Sequence, residues 1–178
     1  MHRGAIHKTE VGRTTLTSVD GTRLPFHGLF ATEAIQRGDF VGFYCGDFYD
    51  EEDEEVPTSA YAMNGSGFIV VPPTIDPVWY PMAMVNEPPS GTSANVCLLE
   101  WAKAGEVDPD WPKKTDPVQC LSFHATRTIR AGEEIFLHYG PEYDRSHYPA
   151  KGKLVGSPSR LAKKDVVLGT WVPEERKY

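Results

Sequence analysis

Short apolar runs separated by turn residues recur along the sequence, and this pattern predicts strands rather than helices. GLFATEAI, the turn QRGD and FVGFYCG together predict a first hairpin. YAM and FIVV flank NGSG, whose Asn-Gly pair favours the positive φ angles of a tight reversal, so they predict a second hairpin. Residues 1–23 are polar with the alternation TTLTSV, which fits either one strand or a frayed lead-in.

The second half of the chain continues the pattern with longer connections. VCLLEW and VQCLSFHATRTI predict two strands that flank a polar, proline-containing excursion. The turn RAGEE leads into the strand IFLHYG. Alternation there places Ile135, Leu137 and Tyr139 on one face and Phe136 and His138 on the other.

Two carboxylates stand in the turn before this last strand. Glu133 and Glu134 follow a glycine, and we expect them to cap backbone amides or to pair with Arg127 or Arg130. A catalytic pair of carboxylates is therefore not predicted here.

The stretch PPTIDPVWYPMAMVNEPPSGTSAN, residues 72–95, is rich in proline and has no regular period. It predicts a structured loop in which Met82, Met84 and Val85 are buried. A loop of this length inside a compact domain is usually functional.

Length and composition narrow the class of protein. The 178 residues fit one domain, and 16 Gly with 15 Pro argue for short strands joined by many turns, hence a mainly β fold. Cys45, Cys97 and Cys120 lie far apart without a CxxC motif, so neither a disulfide framework nor a zinc site is predicted. No signal peptide or membrane-spanning run is recognisable, so the expected location is intracellular, nuclear or cytoplasmic, without a membrane partner.

Negative charge is concentrated in one segment. The formal net charge is -7, and residues 47–55 alone carry seven carboxylates. Such a segment is unsuited to phosphate backbones, so no direct contact with nucleic acid is expected, and a cationic peptide would be its natural partner. The other interpretation is a solvated loop that only keeps the protein soluble.

Tyr139 continues a core-facing row, and a buried phenol needs a hydrogen-bond partner or a cavity. Taken alone, a tyrosine at a strand end is more often a packing residue than a catalytic one. Taken together, however, HGLFATEAIQRGDFVGFYCGD, MAMVNEPPSGTSANV and FHATRTIRAGEEIFLHYGPEYD resemble, in order and spacing, the SET domain of protein-lysine methyltransferases. The resemblance spans residues 24–144. Its most complete motif, A-x-R-x-I-x-x-GEE-x-x-x-x-YG, runs from Ala125 to Gly140.

This resemblance implies a SET fold of the β-clip type, with several small curved sheets, few short helices and a knot-like threading of the C-terminal segment. Such a knot would bring Asn86 and Tyr139 together. The implied organisation is a lead-in at residues 1–23, a SET domain at 24–145 and a C-terminal extension at 146–178. Trp171 in the extension would close over the active site.

The resemblance also implies a reaction, the transfer of a methyl group from S-adenosylmethionine to a lysine side chain of a protein. A basic peptide with an accessible lysine, such as a histone tail in chromatin, is the implied partner, no metal is required, and a homodimer is left open. Tyr139 is the implied catalytic residue. The implied cofactor-binding residues are Phe26, His27, Gly28, Leu29, Asn86, Glu87, Tyr139 and Tyr143. The implied walls of a lysine channel are Tyr44, Tyr61, Phe136 and Tyr143, each of which could equally be an ordinary core residue.

Two departures from the family pattern leave a second interpretation open. Phe26 replaces the first glycine of the usual GxG turn, and Glu87 follows Asn86 where the family has His. The alternative is a catalytically lapsed SET-like module that binds basic peptides, and a third is an unrelated β-rich protein that mimics the motifs. A Rossmann-type methyltransferase is not predicted, because no GxGxxG motif opens a helix.

Overall fold

The computed structural model of the chain describes residues 8–17, 21–52, 55–65, 67–102, 119–141, 143, 145, 156–162 and 165. Nowhere in these ranges is there a helix long and apolar enough to cross a bilayer. The elements found in them are β1 (Thr9–Arg13), β2 (His27–Ala31), β3 (Phe40–Tyr44), β4 (Asp47–Asp50), β5 (Met63–Asn64), β6 (Phe68–Val71), the 3-10 helix η1 (Pro81–Met84), β7 (Val96–Ala102), β8 (Gln119–Ala125) and β9 (Glu134–Ile135).

The strands form three small sheets, in the orders β1-β2-β9, β3-β8-β7 and β4-β6-β5. All strand pairs are antiparallel. The mainly β class with several small sheets is confirmed. The two strands predicted around the proline-containing excursion are also confirmed, because β7 and β8 pair along their whole length.

The first predicted hairpin is wrong in its pairing. β2 lies between β1 and β9, whereas β3 pairs with β8 in a different sheet. Ile35 lies in the connection between β2 and β3. It exchanges two backbone hydrogen bonds of 2.9 Å with Ile129, so this connection pairs with a distant segment instead of forming a hairpin turn. A local apolar pattern specifies which face of a strand is buried but not which strand becomes its neighbour.

The second predicted hairpin is confirmed, since β5 pairs with β6. The strand suggested by TTLTSV is displaced, because β1 is Thr9–Arg13. The acidic segment begins as a strand rather than as a solvated loop. β4 pairs with β6 through its backbone while Asp47 and Asp50 remain exposed, and the Phe48 ring stacks on Phe68 at 5.8 Å between centroids.

The segment after β9 passes between the two ends of the long loop. On one side the Leu137 N–H donates to the carbonyl of Asn86 at 2.9 Å, and on the other the Asn95 N–H donates to the carbonyl of Phe136 at 3.1 Å. The Asn95 side chain, which is fully buried, also accepts the Phe136 N–H at 2.7 Å. This is the threading expected of the knot-like fold, and it holds the loop at both ends.

The core lies between the sheets and η1. Its fully buried members include Leu29, Phe123 and Ile135. The expected burial of Met82, Met84 and Val85 in the loop is confirmed, since all three side chains belong to this core.

His124 of β8 is a buried titratable group that should make stability depend on pH. Its imidazole is 2% exposed and contacts the Ser122 hydroxyl at 3.0 Å and the Gly38 carbonyl at 3.4 Å. Burial lowers its pKa below the ordinary value of 6.5, although the Gly38 carbonyl acts in the opposite direction. The unfolded chain therefore takes up the proton first as the pH falls.

Stability that His124 contributes is thus present above pH 6.5 and is lost below it. We expect thermal melts of the wild type to shift downward between neutral and mildly acidic pH, and the shift to be smaller for His124→Gln. Identical pH dependence of the two proteins would contradict this role.

Candidate active site

Two cavities lie on either side of a shared wall. The Tyr44 cavity, of about 410 Å³, is lined by Tyr44, Met63, Phe123 and Leu137 among others. The Asn86 cavity, of about 480 Å³, is lined among others by the residues Leu24, Phe26, His27, Ile75, Met84, Asn86 and Glu87. Both volumes are typical of small-molecule sites. The residues common to both linings are Ala60, Tyr61, Ala83, Tyr139 and Tyr143.

Three acceptors of the protein fix the Asn86 side chain. Its Nδ2 donates to the His27 carbonyl at 2.7 Å, to Glu134 Oε1 at 3.1 Å and to Thr14 Oγ1 at 3.3 Å. These contacts determine which end of the amide is nitrogen. Among the described residues nothing donates to Oδ1, so this oxygen remains able to accept a hydrogen bond from a ligand in the Asn86 cavity.

Glu134 lies in strand β9 rather than in the turn, although it accepts a backbone amide as expected. Its carboxylate is 3% exposed and accepts hydrogen bonds from Thr14 Oγ1 at 2.6 Å and from the Thr15 backbone N–H at 2.6 Å. The backbone that follows β1 is therefore attached to this carboxylate through Thr14 and Thr15. Glu134 links that segment to Asn86 and supports one side of the cavity wall.

Glu133 does take the expected turn position. It accepts the Arg130 backbone N–H at 3.0 Å and pairs with the Arg127 guanidinium. Burial alone would raise the pKa of Glu133, but the hydrogen bonds from Arg127 and Arg130 and the Arg127 charge outweigh burial and hold that pKa below its ordinary value.

Gly28 leaves room for the Glu134 carboxylate. A Cβ at this position would lie 2.2 Å from Glu134 Oε1 and 3.3 Å from the Thr14 Cα, so either the carboxylate or the strand would have to move. We expect Gly28→Ala to destabilise the fold by about 1–3 kcal/mol, as overpacking commonly does. Because Glu134 holds Asn86, the same variant should also weaken ligand binding in the Asn86 cavity.

Thermal melts and a ligand titration of Gly28→Ala check both effects. Gly12→Ala is a matched control on the neighbouring strand, since its Cβ would meet only the Phe30 ring at 3.2 Å. Wild-type stability in Gly28→Ala would show that the carboxylate is not confined there.

Tyr139 lies in the shared wall with its polar groups engaged. Its hydroxyl donates to the Val85 carbonyl, and its backbone N–H donates to Glu87 Oε1 at 2.9 Å. Its ring meets Tyr143 edge-on at 4.8 Å between centroids. The phenol is thus oriented by its donation to Val85.

Tyr44 closes the inner end of its own cavity. Its hydroxyl donates to the Tyr61 carbonyl at 2.5 Å, and its ring packs edge-on against Phe123 at 6.1 Å. Burial raises the pKa of Tyr44 above its ordinary value, with smaller contributions from Tyr61 and Tyr143. Tyr44 thus stays a neutral phenol at physiological pH, and it fixes the Tyr61 backbone rather than acting as a base.

Sequence reasoning missed Arg145, which pairs with Glu87. The Glu87 carboxylate is buried at 5% exposure and is held by two guanidinium contacts, of 2.7 Å from Nη2 and 2.9 Å from Nε. In the sequence, Glu87 in place of the family's His leaves the lapsed, peptide-binding interpretation open. A buried carboxylate needs a charged or hydrogen-bonding partner, so a buried Glu87 implies a cation elsewhere in the chain.

The structure brings most of the predicted site residues to the two cavities. Leu29 is instead fully buried in the core, Gly28 lies beneath Glu134, and Phe136 belongs to the knot and is in neither lining. Trp171 and most of residues 141–148 lie outside the described residues. The predicted residues in the linings are Phe26, His27, Asn86 and Glu87 in the Asn86 cavity, Tyr44 in the Tyr44 cavity, and Tyr61, Tyr139 and Tyr143 in both.

Comparison with known proteins gives a family match. The family model described as SET domain matches residues 27–140, which is more than half of the chain. No curated protein matches the sequence significantly.

Several solved structures are similar to this chain at low sequence identity. ATXR5 in complex with histone H3.1 is 17% identical with a TM-score of 0.55, over 79% of this chain and 62% of that one. The Chaetomium thermophilum polycomb repressive complex 2 is 21% identical with a TM-score of 0.50, over 77% of this chain and 16% of that one. The methyltransferase domain of human PR domain-containing protein 2 is 20% identical with a TM-score of 0.48, over 80% and 83% of the two chains. The chain thus spans less than two thirds of the length of the ATXR5 chain and of the polycomb repressive complex 2 chain.

Proposed function

Because the chain belongs to the SET-domain family, we propose that it methylates lysine side chains of a protein substrate with S-adenosylmethionine as the methyl donor. The observation that carries the proposal is the wall that the two cavities share, with Tyr139 and Tyr143 in it. A methyl group can pass between two ligands only where their sites meet. We assign residues 24–145 to the catalytic domain, with 1–23 as lead-in and 146–178 as extension.

The Asn86 cavity fits the cofactor. Apolar side chains such as Leu24, Phe26 and Ile75 suit the adenosine part, and Asn86 Oδ1 can accept a hydrogen bond from the ammonium of the amino-acid part. When bound, S-adenosylmethionine supplies a methyl group on a positively charged sulfur, which a neutral amine can displace. His27 and Glu87 would line the same site, with Gly28 and Leu29 supporting it from behind.

The Tyr44 cavity fits the lysine side chain. A lysine in water has a pKa of about 10.4 and is protonated, whereas only the neutral amine can attack. We expect the rings of Tyr44, Tyr61 and Tyr139 in the lining to exclude water and so to lower this pKa, and the sulfonium charge across the wall would act in the same direction. The lining would therefore release the amine proton to water without a dedicated base.

Tyr139 would align the reacting groups. Its hydroxyl, oriented by the Val85 carbonyl, would accept a hydrogen bond from the amine or would stabilise the partial positive charge of the methyl group. Holding two groups in line can supply on the order of 7–11 kcal/mol of the barrier at best. Tyr139 would supply part of this positioning, and the two cavities that hold the reactants would supply the rest.

A basic peptide is the proposed substrate class. We expect such a peptide to add as an extended strand to an exposed sheet edge. β4 is an edge strand of its sheet, and its Asp47 and Asp50 side chains are exposed. The neighbour ATXR5 is bound to a histone. A histone tail is therefore the first substrate to test.

Calorimetry with S-adenosylhomocysteine, the demethylated product, tests the cofactor half of the proposal. We expect saturable binding with one ligand per chain. The absence of binding would overturn the proposal. Binding of a basic peptide without binding of the cofactor would favour the lapsed, peptide-binding alternative that Phe26 and Glu87 suggested.

A further inference from the structure

Glu87 and Arg145 form a largely buried ion pair next to Tyr139. We propose that the Glu87–Arg145 pair is a positioning device that fixes the aromatic wall between the two cavities. This inference rests on the proposed function, since it assigns the pair a role in the binding of cofactor and peptide.

The pair is far less exposed than an ordinary surface salt bridge. Its side chains are 3% exposed for Glu87 and 16% for Arg145, whereas those of the Arg37–Asp165 pair are 47% and 38% exposed. The guanidinium meets the carboxylate through two contacts, at Nη2 and Nε. Two-point contacts of this kind fix the orientation of both groups as well as their distance.

The remaining donors of Arg145 bind the backbone that leads to it. Nη2 donates to the Gly140 carbonyl at 2.6 Å, and Nη1 donates to the Tyr143 carbonyl at 3.0 Å. The guanidinium also lies 5.4 Å from the centre of the Tyr143 ring, within the range of a cation–π contact. One side chain therefore ties the turn at Gly140, the Tyr143 backbone and the Glu87 carboxylate together.

Glu87 makes the same connection from the loop side. It follows Asn86 directly, and its Oε1 accepts the Tyr139 backbone N–H as well as the Arg145 contact. Both sides of the pair thus lead to residues that line the cavities. A shift of Tyr143 away from Arg145 would move its ring away from Tyr139 and open the wall.

A role in stability alone does not account for this arrangement. Replacing a buried ion pair by neutral groups is often neutral for stability, whereas removing one partner is costly because it leaves a buried charge unpaired. A double variant therefore separates positioning from stability. We choose Glu87→Gln, Arg145→Gln, the double variant, and Arg37→Ala as a control on the exposed pair.

Three measurements on the full chain test the effects of these variants. Thermal melts report stability, and calorimetry reports the dissociation constant for S-adenosylhomocysteine at a temperature where every variant is folded. Hydrogen exchange reports protection of the Tyr139 and Gly140 backbone amides, which donate to Glu87 Oε1 and His138 Nδ1. We expect both single variants to melt at lower temperature and the double variant to recover part of the loss. We expect all three variants to bind the ligand roughly tenfold more weakly and their Tyr139 and Gly140 amides to exchange roughly tenfold faster, because the charge-assisted contacts are lost.

Wild-type affinity and wild-type protection of the Tyr139 and Gly140 amides in the folded double variant would overturn the inference, as would equal effects of Arg37→Ala. Failure of the proposed function has a different signature. In that case the wild type itself binds no S-adenosylhomocysteine, and hydrogen exchange still decides whether the pair protects the Tyr139 and Gly140 amides.

Discussion

Replacing Tyr139 by Phe should reduce kcat for methyl transfer by about 10²- to 10³-fold, the range seen when one preorganised polar group is removed from a catalytic site. The substitution keeps the ring and its edge contact with Tyr143, and it removes only the oxygen that the Val85 carbonyl orients. Cofactor affinity should change little, because Asn86 and the apolar lining are untouched. Steady-state kinetics together with a cofactor titration measure the two effects separately.

Tyr80→Phe is the matched control for this prediction. Tyr80 is a partly buried tyrosine that packs on the core, and it belongs to neither cavity lining. Its hydroxyl should be dispensable for turnover. If Tyr139→Phe retains full methylation, the catalytic role assigned to Tyr139 is wrong even though the fold is unchanged.

Replacing Asn86 by Ala should weaken cofactor binding by about 10- to 100-fold, since a hydrogen bond to a charged ligand group is lost together with the support of the wall. The amide holds the His27 carbonyl and the Glu134 carboxylate, so its removal affects both. We expect the dissociation constant for S-adenosylhomocysteine to rise in proportion. Some loss of thermal stability should accompany it, because Glu134 loses one of its donors.

Gln36→Ala removes an amide at an exposed turn and serves as the control. Gln36 accepts a hydrogen bond from the Thr128 hydroxyl at 3.3 Å, in a part of the chain that lines neither cavity. Asn86→Asp adds a second comparison, since it keeps an acceptor but places a carboxylate beside Glu134. Unchanged cofactor affinity in Asn86→Ala would show that this residue only supports the fold.

The faces of individual strands were predictable from the sequence, because alternation is a local property of the backbone. Ile135 and Leu137 are 0% and 4% exposed as predicted, while Phe136 and His138 are half-buried. Tyr139, predicted on the buried face, is half-buried as well, and only Ile135 of the predicted strand IFLHYG lies in β9. Strand partners were not predictable in the same way. β2 pairs with β1 and β9 rather than with β3, since pairing depends on segments that are distant along the chain.

The meeting of the Asn86 and Tyr139 segments came from the family resemblance and not from any periodicity. The contacts that stabilise this meeting were missed, because each joins residues far apart in sequence. Glu134 binds Thr14 across 120 positions, and Arg145 binds Glu87 across 58. Both contacts involve a buried carboxylate, which requires hydrogen-bond donors, and the linear sequence does not specify which residues supply them.

Methyl transfer itself tests the central claim most directly. Purified protein incubated with S-adenosylmethionine and an array of lysine-containing histone peptides should yield peptides heavier by one or more methylene masses, with the modification located on lysine by fragmentation in the mass spectrometer. The account predicts this product with the wild type and its near absence with Tyr139→Phe. Methylation that persists in Tyr139→Phe, or a wild type that binds S-adenosylhomocysteine yet methylates no lysine in the array or in a mixed protein lysate, would contradict it.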